Sequence, residues 1–454
     1  IVMLNHFKTI GSPLQSVKKY PTLEDQNSRY LNNGWTRCQS GSAFDTYVGL
    51  VTREGLQRIV QLEQFDEWEE FHLKCVHYTL TIASQGDLED WALLRLNIPV
   101  VDYTEKRKCI DWNLVEVKDA NIYSHVAVGH YNDNVLLITG GFSSYGKETH
   151  GRSRNVFCVK EVVGENDKKF TFEKVDNAIN FEAMHSTLTE ISSSEDETTY
   201  IMYGGRVSPK QYVNACPIVV NVSRSYLVTL ECNMDTCGAQ PRYRHSAVAL
   251  KQRGVAIVFI FGGRAHSQQG ILVFNDLWKV ILPEDEDKAE MCNIEDCSMW
   301  PCERFSHSAE SVDVDSEYSD MYISGGLDKF FTPLSDLWKF SSRTEKWSRI
   351  AVEGMLPRYG HTSHVLGNKL IMVGGVNTYD ELQPGVGVID LTTNVCVEFK
   401  LPDLSPEKPI VLINHTSTLY RDKGIIRTFG GGGNFFSFGT FFNNFSVEIP
   451  LHQF

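Results

Sequence analysis

The chain has 454 residues, about three times the common length of one domain, which predicts two or more folding units. Hydrophobic residues make up 42% and charged residues 22%, an ordinary globular balance that excludes collagenous and wholly disordered chains. The formal net charge of -14 argues against a protein that coats nucleic acid by bulk charge, so such a partner would need a local basic face.

Residues 1–90 carry a mixed helical and strand pattern. Apolar residues recur at helical spacing over 56–62 and 65–71, and segments 34–38 and 78–83 are typical of strands. The acidic residues between Glu63 and Glu70 are most simply a solvated helix face. We therefore expect a small α/β unit over 1–90, a linker over 91–110 and a second unit over 111–454.

The second unit is built from an internal repeat that ends in paired glycines. Each doublet follows a short apolar run, and successive doublets lie about as far apart as kelch-type repeats with longer loops. The doublets are Gly140-Gly141, Gly204-Gly205, Gly262-Gly263, Gly325-Gly326, Gly374-Gly375 and Gly430-Gly431. The runs are rich in β-branched and aromatic residues, which predicts strands buried on both faces.

Six repeats predict a mainly β fold, a six-bladed β-propeller with about four antiparallel strands in each blade. The last repeat ends near Val447 and leaves no room for a fourth strand before Phe454. Residues 111–118 have the same spacing as the fourth strand of an earlier repeat. We predict that they complete the last blade and close the ring, which would remove an exposed sheet edge.

A histidine precedes every doublet, and in three repeats an arginine stands three positions before it. We expect a structural role, because a site repeated once per blade lies around a ring and does not converge on one metal ion. No metal is therefore expected. The histidines are His125, His185, His245, His307, His361 and His415.

The repeats resemble the kelch family. The residues that carry the resemblance are His-Ser before an apolar strand, the Gly doublet, Asn275-Asp-Leu-Trp278, Ser335-Asp-Leu-Trp338 and the later Trp347. The resemblance covers residues 110–454. The first, second and fifth repeats depart from it, because they lack the Asp-Leu-Trp sequence.

The first ninety residues resemble the C-terminal end of a leucine carboxyl methyltransferase-type domain, which implies an α/β remnant of a class I methyltransferase. Joined to a kelch propeller, they resemble the tRNA wybutosine-synthesizing protein 4 family, also called leucine carboxyl methyltransferase 2. The segments that carry the likeness are Met3-Leu-Asn-His-Phe7, Ser12-Pro-Leu14, Asn33-Gly-Trp35, Phe65-Asp-Glu67, Glu69-Glu70, Lys74-Cys75 and His77-Tyr78.

This resemblance implies a transferase that uses S-adenosylmethionine to methylate and methoxycarbonylate wybutosine precursors on phenylalanine tRNA. No Gly-X-Gly-type turn follows a strand within residues 1–90, so the cofactor-binding and catalytic elements are expected upstream of Ile1. The resemblance would make segments 35–40 and 77–84 the last two strands of a doubly wound sheet. We expect the chain alone to be inactive, with the propeller as a tRNA-side platform or lid.

Five basic residues are candidates for contact with tRNA phosphates. Arg206 and Arg264 directly follow Gly doublets and so begin loops on one rim of the predicted ring. Arg358 is a weaker candidate, and Lys18 with Lys19 forms a small basic spot. The alternatives are salt bridges to acidic neighbours for the arginines and a solvated loop for the lysines.

The sequence is also compatible with two other functions. Kelch propellers often bind partner proteins, so an interaction scaffold is one alternative, and a protein C-terminal leucine carboxyl methyltransferase is another.

Five cysteines near the third and fourth repeats have gaps of four residues, which favours free thiols over zinc. The eleven cysteines and the lack of a signal peptide or a membrane-length apolar run favour a soluble, cytoplasmic protein. The clustered cysteines are Cys232, Cys237, Cys292, Cys297 and Cys302.

Overall fold

A computed structural model shows a mainly β chain with a small α/β unit in front. None of the helices in the part of the chain that it describes is long and apolar enough to cross a membrane. The described residues are 2–62, 65–86, 107–118, 120–130, 135–145, 151–163, 168–175, 182–194, 197–208, 211–212, 216–223, 227–230, 239–267, 270–281, 290–294, 299–377, 385–402, 410–435 and 439–454. Most of the expected linker over 91–110 lies outside them.

Residues 2–86, here called the head, form helices around one two-stranded antiparallel ribbon. The first residue of β1, Arg37, pairs with Ser84 of β2. Capping boxes start two of the helices, since Thr22 and Asp25 satisfy each other's backbone amides, as do Ser42 and Asp45. The elements are α1 (Val2–Thr9), α2 (Leu23–Leu31), β1 (Arg37–Ser42), α3 (Ala43–Leu50), α4 (Arg53–Leu62), α5 (Trp68–Cys75) and β2 (Thr79–Ser84).

The rest of the described chain consists of strands, with one terminal 3-10 helix at Leu451–Gln453. Its first half contains β3 (Asn113–Lys118), β4 (Ala120–Tyr123), β5 (Val126–His130), β6 (Val135–Thr139), β7 (Phe142–Tyr145), β8 (Gly151–Arg152), β9 (Val156–Val163), β10 (Lys168–Lys174), β11 (Thr187–Ser193), β12 (Glu197–Tyr203), β13 (Arg206–Ser208), β14 (Gln211–Tyr212), β15 (Ile218–Ser223), β16 (Leu227–Leu230), β17 (Ser246–Gln252), β18 (Val255–Phe261), β19 (Arg264–Ser267), β20 (Gly270–Val273), β21 (Leu277–Ile281) and β22 (Glu290–Ile294).

The second half contains β23 (Arg304–Phe305), β24 (Ser308–Asp313), β25 (Ser319–Ser324), β26 (Leu327–Asp328), β27 (Leu337–Ser341), β28 (Lys346–Ile350), β29 (Thr362–Leu366), β30 (Lys369–Val373), β31 (Val386–Asp390), β32 (Val395–Phe399), β33 (His415–Tyr420), β34 (Ile425–Gly430), β35 (Gly432–Phe435), β36 (Gly439–Phe442) and β37 (Phe445–Pro450).

The long strands pair in groups of four. Four of the groups are separate sheets, in the orders β11-β12-β15-β16, β17-β18-β21-β22, β24-β25-β27-β28 and β29-β30-β31-β32. The other two, β5-β6-β9-β10 and β33-β34-β37-β3, join through a parallel pairing of β3 with β10 into one eight-stranded sheet. The first strands of these groups contact one another in sequence, and β33 contacts β5, so the sheets stand in a closed ring. This arrangement is a β-propeller. Strand β3 pairs antiparallel with β37, with Asn113 opposite Glu448, and so joins the opening of this unit to its end.

Apolar side chains of neighbouring sheets fill the space between them. Phe259 of β18 packs 5.4 Å from Phe340 of β27, measured between ring centroids, and Trp347 lies 5.2 Å from Phe340. The Gly doublets allow the close approach of the next sheet. Gly325 has a φ of 60°, and a Cβ there would lie 2.3 Å from the carbonyl oxygen of Arg358.

Five of the six repeated histidines join adjacent sheets. The Nε2 of His125, His245, His307, His361 and His415 lies 2.8–3.2 Å from a Ser or Thr hydroxyl of the neighbouring sheet. Burial lowers the pKa of all five, so they are neutral near pH 7. The structural role expected for these five is what the geometry shows.

His185 does not belong to this set. Its φ is 56°, the left-handed conformation found at Ser124, Arg244 and Ser306, each of which stands one residue before a repeated histidine. Ser186 therefore occupies the histidine position of the second sheet. The sequence pattern assigned His185 to the position of the repeated histidine, but it lies one residue before that position. The pattern of strand residues does not reveal which residue has the left-handed conformation.

The arginine that precedes the histidine in three repeats is also structural. Arg242 pairs with Asp276 and Arg304 pairs with Asp336, the aspartates of the two Asp-Leu-Trp sequences. Both guanidinium groups are buried. In these two repeats the motif thus connects the loop before the first strand to the start of the third strand of the same sheet by a buried ion pair.

Candidate functional site: the cavity between the head and the propeller axis

Six residues, here called the rim ring, surround the propeller axis at the end that faces the head: Ser124, His185, Arg244, Ser306, Gly360 and Asn414. All six have positive φ values. Backbone hydrogen bonds of 2.7–3.2 Å run from residue to residue, such as Ser124 N to Asn414 O and Gly360 N to Ser306 O. Arg244 of this ring contacts Asp66 and Glu69 of the head.

Helix α5 of the head lies on this rim. The ring of Trp68 stacks on Phe331, with 4.2 Å between centroids, and both residues are buried. The hydroxyl of Tyr359 donates to the carbonyl oxygen of Trp68 at 3.1 Å and lies 2.5 Å from His72 Nδ1. Burial lowers the pKa of His72 to about 3, so its ring is neutral. The contact is a well-packed interface between head and propeller.

Ion pairs reinforce that interface. The carboxylate of Asp66 contacts Arg206 and Arg264, and the Nε of a third arginine, Arg244, lies 3.7 Å from it. Glu69 also pairs with Arg244, and its side chain is fully buried. The solvated helix face expected for the acidic run is therefore wrong for Asp66, Glu69 and Glu70, all of which are buried. For Asp66 and Glu69 the reason is that they pair with propeller guanidinium groups in the interface.

This network decides where two of the candidate tRNA contacts lie. Arg206 is 4% exposed and Arg264 is 0% exposed, and both face Asp66. They do share one rim of the ring, as their position after Gly doublets predicts. However, the guanidinium groups are covered by the head and paired with a carboxylate, as in the salt-bridge alternative. Their role in tRNA binding stays a prediction, and this structure does not present them to phosphate.

Arg358 is also covered, for a different reason. It occupies the arginine position of the repeat motif, and its guanidinium pairs with Glu398 and donates to Gly374 O at 3.3 Å. The fifth repeat lacks the Asp-Leu-Trp aspartate, and Glu398 of β32 takes that place. Arg358 is 0% exposed, so this structure does not present it to phosphate either.

Lys18 and Lys19 are exposed in the head between α1 and α2. The Nζ of Lys19 lies 5.2 Å from the ring centroid of Tyr20, and the guanidinium of Arg29 lies 5.1 Å from the same ring. A third cation thus joins the two lysines of the predicted basic spot. The sequence did not point to Arg29, because it lies on α2 and is not adjacent to the lysine pair in the chain.

Between α5 and the rim ring is a cavity of about 140 Å³. The head contributes Asp66, Glu67 and Glu70 to its wall, and the propeller contributes Ser124, His185 and Arg152, among others. Burial, together with the cationic neighbours Arg244 and Arg152, lowers the pKa of His185. Its imidazole is therefore neutral.

Glu70 reaches into this region through a gap left by a glycine. Its Oε1 accepts a hydrogen bond of 3.1 Å from the amide of Asn434, and a Cβ on Gly433 would lie 1.9 Å from that oxygen. Burial and the adjacent Glu69 raise the pKa of Glu70 to about 8. Its side chain is therefore mainly a neutral acid near pH 7, with a hydroxyl that can donate.

Arg152 differs from the other guanidinium groups of the site. No carboxylate lies within ion-pair distance of it among the residues that the structure describes, and its buried Nη1 has no hydrogen-bond partner there. Burial lowers its pKa, and Tyr123, Glu182 and Glu67 act against that effect at longer range. Sequence reasoning missed Arg152, because no motif marks it.

No cysteine is among the described residues that line this cavity. Cys302 is exposed, and its Sγ accepts from Arg304 Nη2 at 3.4 Å. Cys232, Cys237 and Cys297 lie outside the described residues. Within the described ranges there is no group of three or more His, Cys, Asp or Glu residues arranged to hold a metal ion.

Comparisons with known proteins agree on one family. A family model described as tRNA wybutosine-synthesizing protein 4, beta-propeller, matches residues 181–445. The rat protein named tRNA wybutosine-synthesizing protein 4 is 30% identical over 99% of this chain and 66% of its own length. The human protein of that name is 28% identical over the same shares, and the Schizosaccharomyces pombe protein is 24% identical over 99% and 65%. The chain thus spans about two thirds of the length of these relatives.

Proposed function

Because the chain belongs to the tRNA wybutosine-synthesizing protein 4 family, we propose that it forms the propeller-bearing part of a tRNA-modifying transferase. The transferase would methylate and methoxycarbonylate a wybutosine precursor on phenylalanine tRNA, with S-adenosylmethionine as the methyl donor. The observation that carries the proposal is the similarity of head and propeller together, over 99% of the chain, to relatives named for wybutosine synthesis.

The head would be the end of a class I methyltransferase domain, and the six groups of four long strands would be kelch blades. The antiparallel pairing of β1 with β2 supports the first assignment, because mainly parallel sheets of this class often carry an antiparallel edge strand. The second is supported by the shared histidine, glycine and Asp-Leu-Trp positions of the sheets.

The described residues of the head do not fit a binding site for S-adenosylmethionine. The turn from β1 into α3 is the nearest match to a nucleotide-binding strand-to-helix turn. Its capping box closes it, because Ser42 and Asp45 satisfy each other's amides at 2.9 Å. We therefore propose that the 454-residue chain alone does not transfer methyl groups.

The contribution of this chain would be positioning. The buried contacts of Asp66, Glu69 and Trp68 fix the orientation of the head on the propeller rim. A fixed orientation is what a transferase needs to bring a large substrate to a reacting centre. The exposed cluster of Lys18, Lys19 and Arg29 is the proposed contact with tRNA backbone.

Binding and turnover assays on the purified chain test this proposal. Phenylalanine tRNA should bind, and binding should weaken with rising salt and with the triple substitution of Lys18, Lys19 and Arg29 by Gln. A matched control replaces Lys346, an exposed lysine of the propeller, by Gln. Equal binding by the triple variant would refute the assigned surface, and absence of tRNA binding would favour an interaction scaffold. Methyl transfer by the chain alone would refute its proposed inactivity.

A further inference from the structure

Two adjacent glutamates of α5 meet the propeller rim in different ways. The carboxylate of Glu69 pairs with Arg244, which compensates its charge. The side chain of Glu70 is buried as well, at 3% exposure, but no guanidinium or ammonium group lies within ion-pair distance of it among the described residues. Glu70 is therefore a buried acid in the docking interface whose charge, when present, has no direct partner.

The space that holds Glu70 suits a neutral carboxyl group. Gly433 of β35 has no side chain, and a Cβ there would overlap the Glu70 carboxyl. One carboxyl oxygen, Oε1, accepts a hydrogen bond of 3.1 Å from the amide of Asn434. The other, Oε2, is buried and has no hydrogen-bond partner within the described ranges. A single amide donor compensates a neutral acid better than a carboxylate, because a buried carboxylate loses the hydration of both oxygens.

The acidic groups beside Glu70 act in the same direction as burial. Burial and the adjacent Glu69 oppose a charge on Glu70, and Glu67, one turn earlier, adds to this effect. All three glutamates belong to the short segment that the head places on the rim. A negative charge on Glu70 would therefore be added beside existing negative charge, at a point that water does not reach.

Two cations lie on the propeller side of the same region. Arg244 favours the charged form of Glu70, but it is shared with Glu69 and Asp66. Arg152 lines the adjoining cavity and forms no ion pair with Glu70. The other titratable side chains here are neutral near pH 7, because burial raises the pKa of the tyrosines and lowers that of the histidines: Tyr123, Tyr359, His72 and His185.

We propose that the head docks on the propeller rim with a proton on Glu70 and loses that proton to solvent when it undocks, so that rising pH weakens docking through the neutral range. The interface thus contains a proton-linked contact next to its permanent ion pairs. The inference does not depend on the proposed function, because neither tRNA nor a methyl donor enters its test.

Proton linkage fixes how docking varies with pH. The pKa of Glu70 is about 8 in the docked head and returns to its ordinary value of 4.5 when water reaches the side chain. The docking equilibrium therefore falls about tenfold per pH unit between these values and levels off above about 8. His72 acts in the opposite direction, but only below its ordinary pKa of 6.5, where the undocked imidazole takes up a proton. The range from pH 6.5 to 8.5 isolates the effect of Glu70.

Hydrogen exchange of the 454-residue chain at pH 6.5 and 8.5 tests the proposal. Protection factors of the α5 amides, which correct for the intrinsic pH dependence of exchange, should be about tenfold lower at pH 8.5 than at pH 6.5. Glu70→Gln keeps an oxygen that can accept from the Asn434 amide and cannot ionise. In that variant the α5 protection factors at the two pH values should agree within about twofold.

The matched control is Glu310→Gln. Glu310 lies on β24 in the fourth propeller sheet, and burial raises its pKa to about 8 as well. This variant should keep the tenfold fall in α5 protection. The proposal is overturned if the original chain shows no fall, if Glu70→Gln falls as steeply as the original chain, or if Glu310→Gln removes the fall.

Two further measurements keep the test decisive if Glu70→Gln does not fold. Gly433→Ala places a Cβ where the carboxyl group lies, so it should lower α5 protection at pH 6.5 and flatten its pH dependence; an undiminished pH dependence would argue against this location for the proton. Carbon-13 NMR of the glutamate carboxyl groups in the original chain gives the titration of Glu70 directly. A midpoint near 8 supports the proposal, and a midpoint at or below about 6 overturns it.

Discussion

Asp66 offers the sharpest test of how the head is held. The substitution Asp66→Asn keeps the size of the side chain and removes the charge that faces Arg206, Arg264 and Arg244. The Asp66 side chain is 10% exposed and that of Arg264 is 0% exposed, so water screens the pair poorly. Breaking a buried ion pair from one side costs about 3 kcal/mol or more, because the remaining charges stay buried without compensation.

Loss of these ion pairs should weaken docking of the head on the propeller rim more than it weakens the propeller sheets, because the apolar cores between the sheets do not include Asp66. A loss of about 3 kcal/mol raises the population of the undocked state about 150-fold. Hydrogen exchange of the α5 amides reports this population, and their exchange should accelerate by a similar factor while that of β25 and β30 stays unchanged.

The matched control is Asp315→Asn, which removes a carboxylate that pairs with Arg343 at the solvent-exposed surface. Its exchange pattern should match that of the original chain. The reasoning would be refuted if Asp66→Asn left α5 protected to the same degree as Asp315→Asn does. An equal acceleration across head and propeller would also contradict it, since that would mean that the two units open together.

Three further predictions concern packing, backbone and protonation. Trp68→Ala removes a buried ring stacked on Phe331 and should cost about 3–5 kcal/mol in urea unfolding; a loss under 1 kcal/mol would contradict the stacked interface. Gly326→Ala should cost about 2 kcal/mol, because its φ is 100° and a Cβ would lie 2.8 Å from His307 Cβ, whereas Gly151→Ala, in open space, should be close to neutral in the same urea titration. The folded pKa of Glu70 is raised from 4.5 to about 8, so the stability that its proton provides is complete below 4.5 and is lost as the pH rises through about 8. Urea midpoints should therefore fall between those pH values for the original chain relative to Glu70→Gln, and parallel pH profiles would contradict the raised pKa.

The propeller could be predicted because its signals are local. An apolar run such as 257–261 needs burial on both faces, and a following Gly doublet with positive φ marks the point where the strand ends beside the next sheet. The structural role of His307 could be predicted in the same way. A histidine that recurs once per sheet lies at a different point around the ring in each sheet, so the repeated histidines do not converge on one site. The register error at His185 shows the limit, because a left-handed residue one position away changes which side chain faces the neighbour.

The candidate site could not be predicted in this way. Asp66 meets Arg264 across 198 positions of sequence, and Tyr359 meets His72 across 287, so no spacing in the chain connects them. Read alone, acidic residues on a helix indicate a solvated face, and arginines after glycines indicate an open rim. The sequence by itself determined the repeated sheets, the structural histidines and the family likeness, since these depend on short-range patterns. Only the tertiary structure decided that the head covers the rim, that Asp66 pairs with the rim arginines, and that no described carboxylate lies within ion-pair distance of Arg152, because each of these depends on which distant charges folding brings together.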